Sequence, residues 1–331
     1  MSIICRLCGN SNLISVLDLG ASPPCESFLS EEQLDHPETT YPLHLRLCPD
    51  CLLLQIPALI TPEETFGGDY AYHSSYSTSW VEHARRFVDQ AVDSLGLDPD
   101  GFVVEVAAND GYLLQHVVNR GIRCLGIEPS LNCSEAARGK GIPMLRAFLD
   151  EALAARVRDE HGPADLVVAN NVFAHIPDIT GFASGLRGLV AATGRVSIEV
   201  HHALSLITAA QFDTIYHEHF QYWTVLAARH GLAAGGLKLV DVELLPTHGG
   251  SIRLWAVPED ADVAEHPRVA EVEAVERAAG LDGPEGYLGF AQRVAGIRDD
   301  LVSFLIEARR AGRRVVAYGA PGKGNTLLNY C

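Results

Sequence analysis

The sequence predicts an α/β fold with an open, mostly parallel sheet, a small zinc module before it and an incomplete α/β segment after it. Two C-x-x-C pairs near the start indicate the zinc module. Apolar runs of strand length alternate with helical patterns through the middle of the chain, which is typical of a parallel sheet. With 331 residues, 47% of them hydrophobic and 20% charged, the chain is long enough for two or three domains.

Charge and the lack of long apolar segments disfavour several classes of function. The chain has 25 basic and 42 acidic residues, so its formal net charge is −17. Nucleic acids and anionic membranes both bind to basic surfaces, so neither is an expected partner. No stretch reaches about 18 apolar residues, and the start lacks the apolar run of a secretory signal. We therefore expect a cytoplasmic protein whose cysteines are thiols or metal ligands.

Four of the eight cysteines form two pairs at metal-binding spacing. Cys5 and Cys8 are followed, after thirty-nine intervening residues, by Cys48 and Cys51. Four thiolates can surround one Zn²⁺ tetrahedrally and leave no position for water, so the predicted metal is structural. A redox pair or a chance spacing are the alternatives. Three further cysteines lack partner spacing and are interpreted as small buried or half-buried residues: Cys25, Cys124 and Cys133.

The central α/β unit begins with a helix predicted over residues 79–97. Phe102–Val106 is then a predicted buried strand, residues 107–111 form a turn of small residues, and residues 112–120 start a helix. This order of strand, turn and helix is where an open parallel sheet binds a nucleotide-like ligand. Small residues in the turn let the backbone approach such a ligand closely.

The second predicted strand lies within residues 123–130 and ends in the acidic residue Glu128. Glu128 follows Gly111 by seventeen residues, and its carboxylate can accept both hydroxyl hydrogen bonds of a ribose. Glu105, inside the first strand, is a second candidate. The alternatives are a solvated strand acid for Glu105 and a cap of the following turn for Glu128.

Further predicted strands complete the sheet. Asn170 and Asn171 directly follow one of them, and the last two bracket a glycine-containing turn, as an antiparallel hairpin does. A nicotinamide-dependent enzyme is one class that such a site allows, but its G-x-G-x-x-G turn is absent after the first strand. These strands are predicted over residues 165–169, 195–200, 237–245 and 251–257.

Residues 213–223 form the densest polar and aromatic segment of the chain. The segment lacks the H-E-x-x-H pattern of zinc proteases. His217 and His219 would share one face of an extended chain. A neutral imidazole is the natural proton acceptor near neutral pH, so we expect a direct chemical role for at least one residue of this segment. The alternative is a structural histidine beside a core tyrosine.

Residues 68–76 carry three tyrosines among other polar side chains, which suit a core poorly. We interpret them as a lid or substrate wall, because such loops carry function on a rigid scaffold; a polar linker is the alternative.

The last part of the sequence predicts a long amphipathic helix over residues 287–308, a strand over 314–318 and a glycine-rich turn over 319–326. Backbone N–H groups of this turn and Lys323 could hold a phosphate. One strand and a helix start do not make a stable sheet domain, so the segment ending at Cys331 is expected to be incomplete.

Read in order, these motifs resemble the sugar C-methyltransferases that act on nucleotide-linked 4-ketosugars in antibiotic deoxysugar pathways. The resemblance rests on the cysteine pairs followed by DYAYHSSYS, EVAANDGYL, NNVFAH, FDTIYHEHF and HGGSIR. Alanine and asparagine occupy positions of EVAANDG where related motifs often have glycine. The resemblance implies a zinc-binding module over residues 1–68, a class I methyltransferase domain with a seven-stranded Rossmann-like sheet over 69–258, and a truncated C-terminal Rossmann-like domain over 259–331.

The resemblance also implies the ligands and the site residues. The cofactor is S-adenosylmethionine, the substrate is a dTDP-4-keto-deoxysugar, and no obligate protein partner is evident. The implied catalytic residues are Tyr70, His175, Tyr216, Glu218 and His219. The implied cofactor contacts are Glu105, Ala107, Asn109, Gly111, Tyr112, Glu128, Asn170 and Asn171. The implied substrate contacts are Tyr72, Tyr76, Tyr222, His248 and Lys323.

Our mechanistic hypothesis is that His219, oriented by a hydrogen bond that it donates to Glu218, removes a proton from the carbon beside the ketone. Tyr216 and His175 would donate hydrogen bonds to the developing enolate oxygen. A milder alternative is that the histidine only positions the sugar while water takes the proton. Methylation of oxygen or nitrogen on another small molecule, or a non-catalytic binding protein, are the alternative functions.

Overall fold

The computed structural model describes residues 3–25, 27–319 and 322–331. It contains a four-stranded antiparallel sheet near the zinc-type cysteines, a seven-stranded sheet flanked by helices, and two helices at the end of the chain. The strands are β1 (Ile14–Ser22), β2 (Tyr41–Leu47), β3 (Leu54–Gln55), β4 (Phe102–Val106), β5 (Arg123–Ile127), β6 (Met144–Leu145), β7 (Ala164–Asn170), β8 (Val190–His201), β9 (Gln221–Tyr222), β10 (Leu237–Leu245) and β11 (Ser251–Pro258).

The helices either lie between strands in sequence or follow the last strand. The first eight lie between strands, and the last three follow β11. They are α1 (Pro62–Phe66), α2 (Thr78–Leu95), α3 (Leu114–Val118), α4 (Leu131–Gly139), α5 (Glu151–His161), α6 (Ile179–Leu189), α7 (Ala203–Thr208), α8 (Val225–Ala234), α9 (Pro267–Ala278), α10 (Phe290–Arg310) and α11 (Gly322–Tyr330).

Helix α2 shows why local sequence fixes the elements around the site. Ser77 caps its first turn by accepting a hydrogen bond from the Trp80 amide, and Gly96 ends it in the left-handed conformation at φ +62°. Its buried apolar positions recur at helical spacing and face the sheet. Burial of each large side chain stabilises this packing by roughly 1.5–3 kcal/mol. The buried residues are Trp80, Ala84, Phe87, Val88 and Ala91.

The seven-stranded sheet has the order β10-β11-β8-β7-β4-β5-β6. Strand β11 pairs antiparallel with β10 and β8, whereas the pairs from β8 to β6 are parallel. The chain runs from β4 outward to β6 and then returns to place β7 on the other side of β4. Ligands of open α/β sheets bind beyond the carboxyl ends of the strands at such a switch point. The prediction of a class I methyltransferase sheet is therefore confirmed.

The four-stranded sheet has the order β1-β2-β3-β9. Strand β9 comes from the segment directly after His219, far from the zinc module in sequence, and pairs Gln221 with Gln55 and Tyr222 with Leu54. The zinc module therefore shares its sheet with the loop that carries the candidate base. The sequence did not predict this pairing, because two-residue strands give no periodic signal.

The end of the chain departs from the predicted pattern. Residues 313–319 contain no strand, because no edge of either described sheet pairs with them; Val316 and Tyr318 are exposed there. The glycine-rich turn includes residues 320 and 321, which lie outside the described residues, and α11 begins at Gly322. Tyr287 belongs to a short 3₁₀ turn rather than to α10. Within the described ranges, none of the helices is long and apolar enough to cross a membrane.

Candidate active site

A cavity of about 640 Å³ lies at the carboxyl ends of β4, β5, β7 and β8. Its volume is within the range of about 300–1,000 Å³ that small-molecule sites occupy. The loop 213–223 and residues 70–74 form further walls. Most of the predicted site residues lie on these walls; the exceptions are Glu105, Gly111 and Tyr76.

The turn after β4 adopts the backbone that its small residues were expected to allow. Ala107, Asn109 and Gly111 all have left-handed φ values, of +55°, +49° and +77°. Ala107 and Asn109 line the cavity. Gly111 faces away from it, and a side-chain carbon at this position would collide with Ile142 of the packed layer behind. Gly111 is therefore required by the packing rather than by a direct contact with the ligand.

Glu128 connects the turns that follow β4 and β5. Its Oε2 accepts a hydrogen bond from the Asn109 amide at 2.9 Å, and its Oε1 accepts one from the Ser130 amide at 2.8 Å. Burial raises the pKa of Glu128 above its ordinary value. Each carboxylate oxygen can accept a second hydrogen bond, so the group can still receive ribose hydroxyls from the cavity.

A buried acceptor atom without a partner lies near the turns after β4 and β5 and fits the implied cofactor. Asn170 Oδ1 is buried and accepts no hydrogen bond from the described residues. Glu105 lies behind the cavity lining, where burial raises its pKa well above the ordinary value. Asn170 Nδ2 contacts the hydroxyl of Tyr112 at 3.5 Å. S-adenosylmethionine carries an ammonium group and ribose hydroxyls, which are the donors that such acceptors require.

The ring of His219 is held by a backbone carbonyl. Its Nδ1–H donates to the Thr214 carbonyl at 2.9 Å, which leaves Nε2 as the proton-accepting atom in the neutral ring. His219 thus donates its orienting hydrogen bond to the Thr214 carbonyl and not, as expected, to the carboxylate of Glu218. Burial, reinforced by the neighbouring His175, lowers the pKa of His219 well below its ordinary value.

His175 and Tyr216 lie against His219 in the structure. The ring centroids of His175 and His219 are 4.8 Å apart, and those of Tyr216 and His219 are 4.0 Å apart. Burial lowers the pKa of His175 to about 4, so this imidazole is also neutral at physiological pH. His217 turns away and donates from Nε2 to the Tyr41 carbonyl at 3.0 Å. In the cavity, His219 thus contacts a second neutral imidazole and a phenol.

Glu218 connects this segment to two distant parts of the chain. Its Oε2 accepts a hydrogen bond from the hydroxyl of Tyr70 at 3.4 Å, and its Oε1 accepts one from the thiol of Cys25 at 3.3 Å. All three side chains line the cavity.

The tyrosine strap, which we define as residues 69–76, is docked on the sheet by asparagine side chains. Asn132 Oδ1 accepts from the Tyr70 amide at 2.9 Å, and Asn132 Nδ2 donates to the Tyr70 carbonyl at 2.8 Å. Asn109 Oδ1 accepts from the Ser74 amide at 2.8 Å. The strap places Tyr70 and Tyr72 on the cavity wall. Tyr76, predicted to bind substrate, is instead 80% exposed and stacks on His73 outside the cavity.

The cavity lining also includes Lys323, His248 and Tyr222 from the predicted set, together with His201, which sequence reasoning missed. His201 Nε2–H donates to Gln211 Oε1 at 2.8 Å, and burial lowers the pKa of His201 to about 4. The predicted strand ended one residue before His201, although side chains at the carboxyl ends of parallel strands are the expected ligand contacts.

The four predicted metal ligands meet at one point. The Sγ atoms of Cys5, Cys8, Cys48 and Cys51 all lie within 4.8 Å of one another, and two of the pairs are 3.4 Å apart. A tetrahedral zinc with Zn–S bonds of about 2.3 Å separates its sulfur ligands by about 3.8 Å, so the cluster fits this metal. Gly9, directly after the first pair, has a φ of +77°, as its predicted tight turn requires.

Three family models match successive parts of the chain. They are described as “Putative zinc binding domain” over residues 5–66, “Methyltransferase domain” over 80–242 and “C-methyltransferase C-terminal domain” over 246–331. A curated relative, the C-methyltransferase NovU of Streptomyces niveus, is 34% identical over 327 residues, which cover 99% of this chain and 78% of the relative.

Solved structures also resemble the chain, at lower identity. The magnesium protoporphyrin IX methyltransferase of Synechocystis is 18% identical, with a TM-score of 0.40 over 54% of this chain and 81% of the other. The CcbJ methyltransferase of Streptomyces caelestis is 11% identical, with a TM-score of 0.41 over 53% of this chain and 89% of the other.

The NovU match spans almost the whole chain, and the three family models follow the same order as the cysteine cluster, the seven-stranded sheet and the final helices. The chain therefore belongs to the family of S-adenosylmethionine-dependent C-methyltransferases that carry a zinc-binding domain, a methyltransferase domain and a C-terminal domain.

Proposed function

We propose that the protein methylates a nucleotide-linked (dTDP) 4-keto-deoxysugar at the carbon beside the ketone, as part of deoxysugar and antibiotic biosynthesis. One observation carries the proposal. The neutral imidazole of His219, with its Nε2 available, lies in the same cavity as Asn170 and Glu128, the acceptors that suit the cofactor. Carbon–carbon bond formation at such a position requires a base, whereas methylation of a hydroxyl or an amine requires no enolate.

The chain's own residues supply the proton transfer. His219 Nε2 takes the proton from the carbon next to the ketone, and the electrons of that C–H bond form the enolate. The Thr214 carbonyl holds the imidazolium by its Nδ1–H, and the adjacent enolate charge offsets the cost of a buried cation. Tyr216 and His175 donate hydrogen bonds to the enolate oxygen.

When bound, S-adenosylmethionine supplies an electrophilic methyl group on a sulfonium sulfur. The methyl group would pass to the carbon from which His219 removes the proton, and the sulfur would keep the electron pair of the broken bond. Glu128 and Asn170 would hold the cofactor in the cavity that also contains His219. Glu218 fixes Tyr70 on the sugar side of the cavity.

The nucleotide lies toward Lys323 in this proposal. The Lys323 ammonium lines the same cavity as His201 and His248 and can pair with a pyrophosphate. Tyr72 and Tyr222 line the same cavity and would contact the sugar, and the Tyr222 ring lies 6.3 Å from that of His219.

Mass spectrometry of the protein incubated with dTDP-4-keto-deoxysugars and S-adenosylmethionine tests the proposal. We expect one methyl mass gain on the sugar. In D₂O without cofactor, we expect one deuterium to exchange into the carbon beside the ketone, because proton removal precedes methyl transfer. A product methylated on oxygen or nitrogen, or the absence of both methylation and exchange across the sugars, would contradict the proposal.

A further inference from the structure

The zinc centre lies outside the cavity lining, yet one side chain connects it to the catalytic segment. Arg6 lies between the metal ligands Cys5 and Cys8. Its Nη1 donates to the Ile56 carbonyl at 2.6 Å. Its Nη2 donates to the Phe220 carbonyl and, at 3.3 Å, to Gln221 Oε1. A single guanidinium thus joins the first cysteine turn to the residues that directly follow His219.

The acceptors of Arg6 belong to the framework that holds both histidines. The Phe220 carbonyl also accepts from the Ile56 amide at 3.0 Å, and the Phe220 amide donates to the Ala174 carbonyl at 2.8 Å. Gln221 Nε2 donates to the carbonyls of Phe173 at 2.6 Å and Ile176 at 2.8 Å. Arg6 therefore binds at the junction between the strand end that carries His175 and the loop that carries His219.

The chemistry of this contact favours arginine. Burial lowers the pKa of Arg6 to about 10, so the side chain stays protonated at neutral pH. A planar fork with several N–H donors can satisfy several carbonyl oxygens at once, which an ammonium group on a flexible stem cannot do with the same geometry. The guanidinium also lies 5.9 Å from the centroid of the Phe220 ring.

We propose that Arg6 is a positioning residue through which the zinc centre fixes His219 relative to His175. The metal would hold the backbone of Arg6 from both sides, since the ligands Cys5 and Cys8 flank it closely in sequence. The side chain then fixes the Phe220–Gln221 backbone where it enters β9. The effect of this contact on catalysis rests on the proposed function. Its effect on the backbone of Phe220 and Gln221 does not.

The test measures hydrogen exchange, zinc content and turnover of the full chain for Arg6→Met and Arg6→Lys. Arg46→Met is the matched control, because Arg46 lies in the same module and contacts His44 instead. We expect Arg6→Met to keep one zinc per chain and to bind S-adenosylhomocysteine within about twofold of wild type. Its amides over residues 216–222 should exchange about 10- to 100-fold faster, because charged hydrogen bonds are lost. Arg6→Lys should give an intermediate rate, and Arg46→Met the wild-type rate.

Turnover of the dTDP-ketosugar should fall in the same order as exchange rises, with the larger change in kcat rather than in KM for S-adenosylmethionine. Wild-type exchange over residues 216–222 in Arg6→Met, or zinc loss from both Arg6 variants, would overturn the proposal. Exchange and zinc content need no sugar. A failure of ketosugar methylation therefore contradicts the proposed function alone, and unchanged exchange contradicts the role of Arg6 alone.

Discussion

His219 has the properties of a base because of where its ring lies. Burial penalises the protonated form, so its pKa falls well below the ordinary histidine value and the neutral form dominates at pH 7. The neutral form is the active one in our proposal. The acid limb of the kcat/KM profile should therefore lie below pH 6.5, the ordinary value for histidine. A pH–rate profile between pH 4.5 and 9 checks this, and an acid limb above 6.5 would contradict it.

Replacement of His219, the proposed base, should strongly lower kcat and leave the cofactor site intact. For His219→Gln we expect a fall in kcat of about 10²- to 10⁴-fold, the usual contribution of general-base catalysis. Calorimetry should show unchanged S-adenosylhomocysteine affinity. The matched control is His230→Gln, because His230 is exposed on α8. If His219→Gln turns over the ketosugar at the wild-type rate, the base lies elsewhere.

The buried histidines also set the acid stability of the fold. Burial lowers the pKa of both His175 and His201 to about 4, whereas an unfolded chain protonates them near 6.5. Above pH 6.5 both histidines are neutral in the folded and in the unfolded chain, so their burial does not lower the free energy of unfolding. As the pH falls from 6.5 to 4, the unfolded chain binds more protons, so the free energy of unfolding should decrease. Urea unfolding at pH 7.5, 6 and 5 measures this decrease, and His201→Gln should reduce its slope.

Although His201 was missed, His175, His219 and Glu128 were predictable as residues of the cavity because each carries its chemistry in its own side chain. The partner of His219 was not, because a backbone carbonyl has no sequence signature and Thr214 is five residues away. Tyr76 was misplaced for a related reason. The backbone of the strap decides which of its tyrosines face the cavity. Hydrogen bonds to Asn109 and Asn132 fix that backbone, and these contacts have no sequence signature.

At the scale of elements, the strap depends on Asn132, the side chain at the start of α4 that pairs with both backbone groups of Tyr70. Asn132→Leu removes both hydrogen bonds, so we expect chymotrypsin to cleave after the strap tyrosines faster than in wild type. S-adenosylhomocysteine should slow cleavage of the wild type and protect the variant less, since Tyr70 and Tyr72 line the cavity. Peptide mass spectrometry locates the cuts. Asn119→Leu, at an exposed asparagine, should behave as wild type.

The strands of the large sheet were predictable from short apolar runs followed by turn residues, and their bounds agree closely with the structure at β4, β10 and β11. The failures were β9 and the expected strand over 314–318. Pairing between distant segments decides both cases. Gln221–Tyr222 becomes a strand because β3 offers an edge, whereas residues 314–318 have a strand-like sequence but no described partner.

For the whole molecule, the zinc centre and the methyltransferase sheet share one core. Cys5, Cys48 and Cys51 belong to the same buried cluster as Val104 and Val167 of the central strands. Removal of the metal by a chelator should therefore lower the melting temperature of the entire chain in one transition, together with turnover. Zinc analysis, calorimetry and activity recovery after zinc is restored measure this.

Two cysteine substitutions provide the matched comparison. Cys48→Ser should lose the metal, whereas Cys331→Ser, at an exposed cysteine, should keep it. A melting temperature that does not change on chelation would show that the cluster does not stabilise the sheet.

The pairing of β3 with β9 has a consequence for how the polypeptide folds as it leaves the ribosome. More than 150 residues separate the two partners, so the first sheet stays incomplete until the segment ending at Tyr222 has been made. Until then the β3 edge presents unpaired amides and carbonyls, which are the groups that recruit foreign strands. Nascent chains arrested before residue 221 should thus be more prone to aggregate than chains that have emerged beyond it.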